Sequence, residues 1–417
     1  MTRLTTALLE FDEPSWRREQ RVAALGIWKD RGLPDPADDV WKYAPLNELT
    51  LEDLELATPS QATAGAAAIG GGAPAVVAYV SGGHVIDIAT NDEIEGLTVS
   101  TEAPPTELGR LVGPDDAFAA MNLAYSPGAI FVDVAPSARI ERPVVLLVDC
   151  PEGASFPRVL VRVGERGSVR VLEHVTGPSA SFVASVAEYV VGAGATLEVA
   201  SVQSLGTSCW SVARTRASIG AGATFRQVAV GLGARYDRVR ADALLEGEGA
   251  TSELQTAHVG TGDQVHDLRT MQVHTGRRTI SRLHSKAAVT DRAGSIYSGL
   301  ITMRHGAKKA DARQVNNSLV LSEEARADSV PNLDIEENDV QCAHASTVGP
   351  RDPEQRWYLE SRGVDPADAV QLIITGFFHE IEGLLHDDVL AARLHDAING
   401  LSSRRGDDSH RTGGGGR

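Results

Sequence analysis

Gly164-Glu165-Arg166-Gly167-Ser168-Val169, Gly192-Ala193-Gly194-Ala195-Thr196-Leu197, Gly220-Ala221-Gly222-Ala223-Thr224-Phe225 and Gly247-Glu248-Gly249-Ala250-Thr251-Ser252 are four versions of one segment, begun 28, 28 and 27 residues apart. Between them run short stretches of Val, Leu and Ile alternating with polar residues, a strand pattern. Self-similarity at such a period predicts stacked β coils, each turn burying its inward side chains on the next. Gly and Ala at the corners permit sharp, close-packed bends. Similar turns at Ala293-Gly294-Ser295, Gly306-Ala307 and Glu324-Ala325-Arg326-Ala327 continue the series, and the β pattern runs from roughly Val144 to Val348. A β-sandwich also alternates strands with turns; the constant spacing favours the solenoid.

Outside the repeats the pattern becomes helical. After Val348, Asp352-Pro353 supplies an N-cap and a first helical residue and Gly363 a stop; Asp365-Pro366 repeats the start signal. Val370, Ile374, Phe377, Ile381 and Leu384 then recur at spacings of three and four, which predicts one buried face. Asp387 or Asp388 opens a last helix that should end at Gly400. At the other end the first sixty residues read mostly as helix, with Val22, Leu25 and Trp28 near one face. A Gln/Ala/Gly stretch, 61–75, reads as a flexible connection, and Val76–Val80 as a strand. The expected organisation is a helical and mixed region over 1–115, a β core over 116–349, a helical partner-binding region over 350–401 and a disordered polar tail over 402–417.

Composition narrows the function. With 39 basic and 56 acidic residues the net charge is −17, which argues against nucleic acid or an anionic membrane surface as a partner. No apolar run is long enough to span a bilayer and the N-terminus lacks a signal-peptide core. Three scattered cysteines make no disulfide framework and point to a reducing cytoplasm. CxxC, HExxH and P-loop patterns are absent, so the chain should not hydrolyse ATP by itself.

Few residues remain to carry chemistry. Cys342 and His344 are two apart, so on a strand both face one side and could approach one metal ion or one partner. Two ligands leave a coordination shell unfilled, and a half-buried Cys beside a surface His is the simpler reading. His258, His266, His274 and His284, spaced by eight, eight and ten, define no metal motif and read as scattered hydrogen-bonding or exposed side chains. Cys150 and Cys209 read as small buried side chains, and His305 as a turn residue. Asp334, Glu336, Glu337 and Asp339 form an acidic cluster best read as a solvated strand edge. Phe377, Phe378, His379 and Glu380 lie on an amphipathic helix. Phe377 belongs to its core face, and the adjacent Phe378 should give a second, outward apolar surface for a partner.

The sequence also resembles a known family. The motifs Asp38-Asp39-Val40-Trp41-Lys42-Tyr43-Ala44-Pro45-Leu46, His284-Ser285, Tyr297-Ser298-Gly299, Gln314-Val315-Asn316-Asn317-Ser318-Leu319, Asp328 through Pro331, Cys342 through Gly349 and Tyr358-Leu359-x-Ser361-Arg362-Gly363 resemble those of the SufB/SufD iron–sulfur cluster assembly scaffolds. SufB-like chains carry a cysteine where this one has Ala325 and a Glu-His-Glu run where it has Ala343-His344-Ala345, so the likeness is to the SufD branch. The resemblance implies a mainly β protein: a right-handed parallel β-helix with helical N- and C-terminal regions. It implies pairing with a SufB-like subunit through the β-helix, or with a second copy as a homodimer, and binding of a SufC ATPase through the C-terminal helices. The chain would be a non-catalytic cytoplasmic subunit that holds no cofactor tightly on its own and shares iron or a nascent cluster with SufB. His344, and less directly Cys342, would take part at that interface; Phe377, Phe378, His379 and Glu380 would meet the ATPase. A carbohydrate-active β-helix or a hexapeptide acyltransferase is the rival reading, opposed by an aromatic content of 5% and by the lack of a sustained six-residue rhythm.

Overall fold

A computed structural model describes residues 11, 13–51, 54–61, 69, 74–90, 92–178, 181–350 and 352–403. Most of the expected connection at 61–75 and nearly all of the expected tail at 402–417 lie outside the described residues.

The repeats form a parallel β-solenoid. Its coils are built from β1 (Val76–Ser81), β2 (His84–Thr90), β3 (Leu97–Ser100), β4 (Ile130–Val134), β5 (Val144–Asp149), β6 (Gly153–Ser155), β7 (Arg158–Val163), β8 (Ser168–Gly177), β9 (Ser181–Val191), β10 (Thr196–Leu205), β11 (Trp210–Ile219), β12 (Thr224–Gly231), β13 (Tyr236–Leu245), β14 (Thr251–Gly260), β15 (Val265–His274), β16 (Ile280–Val289), β17 (Gly294–Met303), β18 (Asp311–Val320), β19 (Arg326–Ile335) and β20 (Gln341–Gly349). From β7 onward, successive strands alternate between two walls. One wall runs β2-β1-β5-β8-β10-β12-β14-β16-β18-β20, the other β3-β4-β7-β9-β11-β13-β15-β17-β19. Within the coils, strands pair in parallel with the strand one coil away, so Thr196 lies beside Ser168 and Thr224. The antiparallel pairs β1–β2 and β3–β4 finish the N-terminal end of the walls. Nothing among the described residues extends the walls past β19 and β20.

The quoted glycine turns stack into one column of corners. The amides of Gly192, Gly220 and Gly247 donate to the carbonyls of Val163, Val191 and Ile219 one coil below, at 2.9, 2.8 and 3.1 Å. A Cβ at Gly247 would lie 1.9 Å from the Ala221 nitrogen. Gly247→Ala should therefore cost about 1–3 kcal/mol by overpacking. Gly376→Ala, in the helix Pro366–Leu384, where no atom outside the helix's own backbone lies within 4 Å of the added carbon, should act in the opposite direction. Urea midpoints of the two variants test this; equal shifts of the same sign would refute the corner argument. The turns at Ala293 and Glu324–Ala327 do not continue that column. They join an even-numbered strand to the next odd one, on the opposite edge of the solenoid, while Gly306-Ala307 belongs to the first column. One coil holds two corners, and the sequence series merged them.

The lumen changes character along its length. Near the N-terminal end it is aliphatic, with Val132, Val144, Leu146, Val161, Val171, Leu197, Val199, Ile219 and Leu245 in one buried cluster. Towards the C-terminal end buried Gln272, His274, Ser285, Gln314 and Asn316 take over. On the outer face of the even wall, Arg170, Glu198, Arg226 and Glu253 alternate in charge from coil to coil, and Glu198 pairs with Arg170 and Arg226 at 3.0 and 3.1 Å. Opposite charges directly across a ladder favour this register.

Helices cover both outer faces. α1 (Ser15–Arg31) and α2 (Ala117–Tyr125) lie against the odd wall. Among the described part of the first sixty residues, helix does not continue past α1 except in a short 3-10 turn at Leu46–Glu48: Gly32 and Pro34 end the helix, and the following polar segment packs through Trp41 and Leu46. Nor does Val22 face inward; it is 62% exposed. Arg17 and Arg21 are buried instead, donating to the carbonyls of Leu123 and Ala124 in α2 and of Ser126 just beyond it, so guanidinium groups satisfy free carbonyls at a helix end. α3 (Pro353–Ser361), α4 (Pro366–Leu384) and α5 (Asp388–Ser403) follow the solenoid. Asp352 and Asp365 cap α3 and α4 as expected, and Asp387 accepts from the amides of Val389 and Leu390 at the head of α5. α5 runs through Gly400 to Ser403.

Candidate functional site

The end of the solenoid at β19 and β20 is the most exposed part of its walls. In β18, Ala312, Gln314, Asn316 and Ser318 point into the lumen and are buried. Their register partners in β20 are Cys342, His344, Ser346 and Val348. The alternation of a strand carries the inward direction across, and two contacts bear it out. Cys342 packs against the buried cluster of Ile301, Met303 and Ala312. Ser346 Oγ donates to Ser329 Oγ of β19 at 2.7 Å. Cys342 and His344 therefore share one face, the lumen side of the last coil, with Cys342 half-buried and His344 exposed.

Without another coil above them, inward residues remain open to solvent: Leu333 is 38%, Ile335 46% and Val348 43% exposed. Beneath His344, both amide atoms of Gln314 are buried without a hydrogen-bond partner. Burial, with a smaller effect from Asp311, pushes the Cys342 thiol up, which disfavours thiolate until a cation arrives. The exposed imidazole is the readier donor.

Of the acidic cluster, Asp334 lies in β19, and Glu336, Glu337 and Asp339 form the corner leading into β20. Arg304 contacts Glu336, and Glu337 accepts from the amides of Gly306, Asn338 and Asp339 at 3.2, 3.0 and 3.3 Å. Those backbone bonds hold the Glu337 carboxyl below its usual range. Glu337 thus organises a solvated corner.

The C-terminal helices reassign the aromatic pair. The buried stripe of α4 is Val370, Ile374, Phe378 and Ile381, continued by Leu385, and it packs on Val202, Val228, Val230, Ala257, Val259 and Ala288 of the even wall. Phe378, expected to face outward, is completely buried, while Phe377 is half-buried. The two rings meet edge to face at 4.9 Å, and Lys286 Nζ lies 5.5 Å from the Phe377 ring. Spacings of three and four admitted either phenylalanine; the line of the wall selects the 370-374-378 row. His379 and Glu380 are exposed, and Glu380 pairs with Lys286 at 3.3 Å. The exposed apolar surface lies elsewhere: Trp357 is 69% and Tyr358 53% exposed on α3, which buries no residue, and Leu372 is 54% exposed on α4.

Sequence spacing missed one constellation. His258 and His266 are not scattered; they lie in the lumen with ring centres 5.5 Å apart, beside Asp237. The signal was present only once the coil length was known. His274 is also buried, bonded to Thr279 and Ser281, whereas His284 faces outward to Asn317. Cys150 and Cys209 are buried, and burial raises both thiols.

Comparison with known proteins supplies the family. Residues 146–377 match the family model described as SUF system FeS cluster assembly, SufBD core domain. An iron–sulfur cluster assembly SufBD family protein of Mycobacterium tuberculosis is 30% identical over 378 residues, 88% of each chain. The iron–sulfur cluster assembly protein SufD of Bacillus subtilis is 30% identical over 264 residues, covering 62% of this chain and 60% of that protein. SufD of Escherichia coli is 34% identical over 163 residues, 39% of this chain and 38% of that one.

Proposed function

The chain belongs to the SufBD family of iron–sulfur cluster assembly proteins and is SufD-like, and from that premise we propose that it is a scaffold subunit whose open solenoid end docks a SufB-like β-helix. The observation that carries this reading is the uncovered last coil. Two edge strands with free backbone groups, three exposed inward aliphatic residues and the unpartnered Gln314 make a surface that another coil would complete. His344 and Cys342 would then lie at the seam, where each side supplies part of the coordination of a nascent cluster. The cluster is the assembly's cargo, so an incomplete ligand set on this chain suits a shared site.

The same reading gives the C-terminal helices to a SufC-type ATPase. Trp357, Tyr358 and Leu372 offer the exposed apolar contacts, with His379 and Glu380 on the polar side of α4. Phe378 cannot serve as the contact, since a charge there would break the packing of α4 on the wall. Trp357→Ala should weaken ATPase binding about tenfold or more, as loss of a tryptophan anchor does, with the thermal melt unchanged. Unaltered affinity by calorimetry would remove this surface. The chain is proposed to be cytoplasmic and to lack ATPase activity of its own; among the described residues no helix is long and apolar enough to cross a membrane.

The test is co-expression with SufB-like and SufC-like chains and purification on one tag. Co-purification that is lost in Val348→Asp/Leu333→Asp supports the open end as the interface. A homodimer that survives the same pair of substitutions, or a complex unaffected by them, refutes it.

A further inference from the structure

Three titratable side chains meet deep in the lumen, at a place the docking reading does not use. Gly231 and His258 are register partners on the even wall, and Asp237 and His266 are register partners on the odd wall. Two neighbouring coils thus each contribute one position from either wall, on the two sides of the corners at 232–235 and 261–264. Asp237 and His266 are each 1% exposed and His258 is 3% exposed. Neither carboxylate oxygen and none of the four ring nitrogens makes a hydrogen bond of normal geometry, His266 Nδ1 and Asp237 Oδ2 meeting only as a 3.5 Å ion-pair contact. Buried polar atoms are seldom left so, because each unpaired group costs about 1–3 kcal/mol.

The donor atoms converge on a void. One ligand atom from each of Asp237, His258 and His266 lies within 4.8 Å of the others. A Cβ built on Gly231 would fall 2.7 Å from Asp237 Oδ2, 2.8 Å from His258 Nδ1 and 3.3 Å from His266 Nδ1. The missing side chain leaves a point nearly equidistant from all three. His266 Nδ1 and Asp237 Oδ2 are 3.5 Å apart, close to the ~3.4 Å separation of two ligands held tetrahedrally at about 2.1 Å. Small side-chain rotations would draw in the third.

We infer that this lumen cluster is a binding site for a single borderline divalent cation, Zn2+ or Fe2+, ligated by Asp237, His258 and His266 in the cradle left by Gly231. Two imidazoles and one carboxylate are a donor set such ions accept, and one that Mg2+ and Ca2+ disfavour. Asp237 and His258 also line an internal cavity of about 80 Å³ with Gln203, Gln227 and Glu173, which leaves room for a water as a further ligand. The site is separate from the open end: from His258 the ladder passes through Ala287 and Ser318 to Val348, three strand spacings or roughly 14 Å. An ion here would join three strands, β13, β14 and β15, across both walls.

The experiment measures metal per chain in the full-length protein produced in Zn2+-supplemented medium and dialysed against a weak chelator. About one Zn2+ per chain is expected in the wild type and in His344→Ala. At least tenfold less is expected in Asp237→Asn/His266→Gln and in Gly231→Ala, which keeps every ligand but fills the cradle. Wild-type protein holding well under one ion, equal retention by the Gly231→Ala protein, or loss in His344→Ala would each overturn the assignment. X-ray absorption of the loaded wild type decides the matter even if the variants do not fold. A shell of nitrogen and oxygen with imidazole scattering supports the site; a sulfur ligand, which the triad cannot supply, refutes it.

Discussion

Glu188→Ala is expected to lower the unfolding free energy by about 3–5 kcal/mol, the usual penalty for removing one partner of a buried ion pair. Arg158 Nη2 and Glu188 Oε1 are 2.7 Å apart and both side chains are fully buried. The carboxylate also accepts from the amides of Gly109, Leu111 and Val112 at 2.9, 2.8 and 3.0 Å. Arg158 in turn donates to Asn122 Oδ1 of α2 and to the Val112 carbonyl. Alanine would strand a guanidinium and three amides without water, and the segment at 109–112 would lose its hold on the odd wall. The pair is a fastening between the N-terminal layer and the solenoid rather than a net source of stability, so Arg158→Met/Glu188→Leu should recover much of the loss. Urea midpoints of the three proteins give the comparison. A single-variant loss below about 1 kcal/mol would show that water reaches the pair.

His344→Ala should leave folding and partner binding intact while cutting cluster yield in the assembled complex by roughly tenfold or more. Even residues that merely orient a ligand commonly change metal affinity by 10–100-fold. His344 is exposed, so its removal opens no cavity in this chain. Cys342→Ser should have a smaller effect, since its thiol is raised by burial and packs on Ile301 and Met303. The measurement is iron and sulfide per complex after anaerobic reconstitution of equally assembled proteins, followed by transfer to an acceptor. Equal yields from the wild type and His344→Ala would return His344 to a structural role.

Much of the fold was legible because a solenoid is periodic. A coil repeats its corner chemistry at each turn, and Gly192, Gly220 and Gly247 mark places where a Cβ would strike the backbone of the coil below. Asp-Pro starts at 352 and 365 were equally readable, since capping is local. The shared direction of Cys342 and His344 followed from strand alternation alone. Other features were not local. Phe377 and Phe378 both fit a spacing of three and four, and only the position of the wall shows which is buried. Arg17 and Arg21 look like surface residues until α2 presents its carbonyls to them.

The sequence by itself determined the period, the corners, the helix starts and the SufBD motifs, all of which depend on residues near one another in the chain or on a repeat that can be counted. Only the tertiary structure decided which layer is uncovered and which distant residues meet. That Leu333, Ile335 and Val348 point inward yet face solvent depends on the absence of a further coil above them among the described residues. That Asp237 joins His258 and His266 depends on coil length, because stacking places a residue beside the one a whole turn away, 29 positions on for Asp237 and His266. Side-chain chemistry is written along the chain, but a site exists only where the backbone's closure brings donors within bonding distance and excludes the water that would otherwise satisfy them.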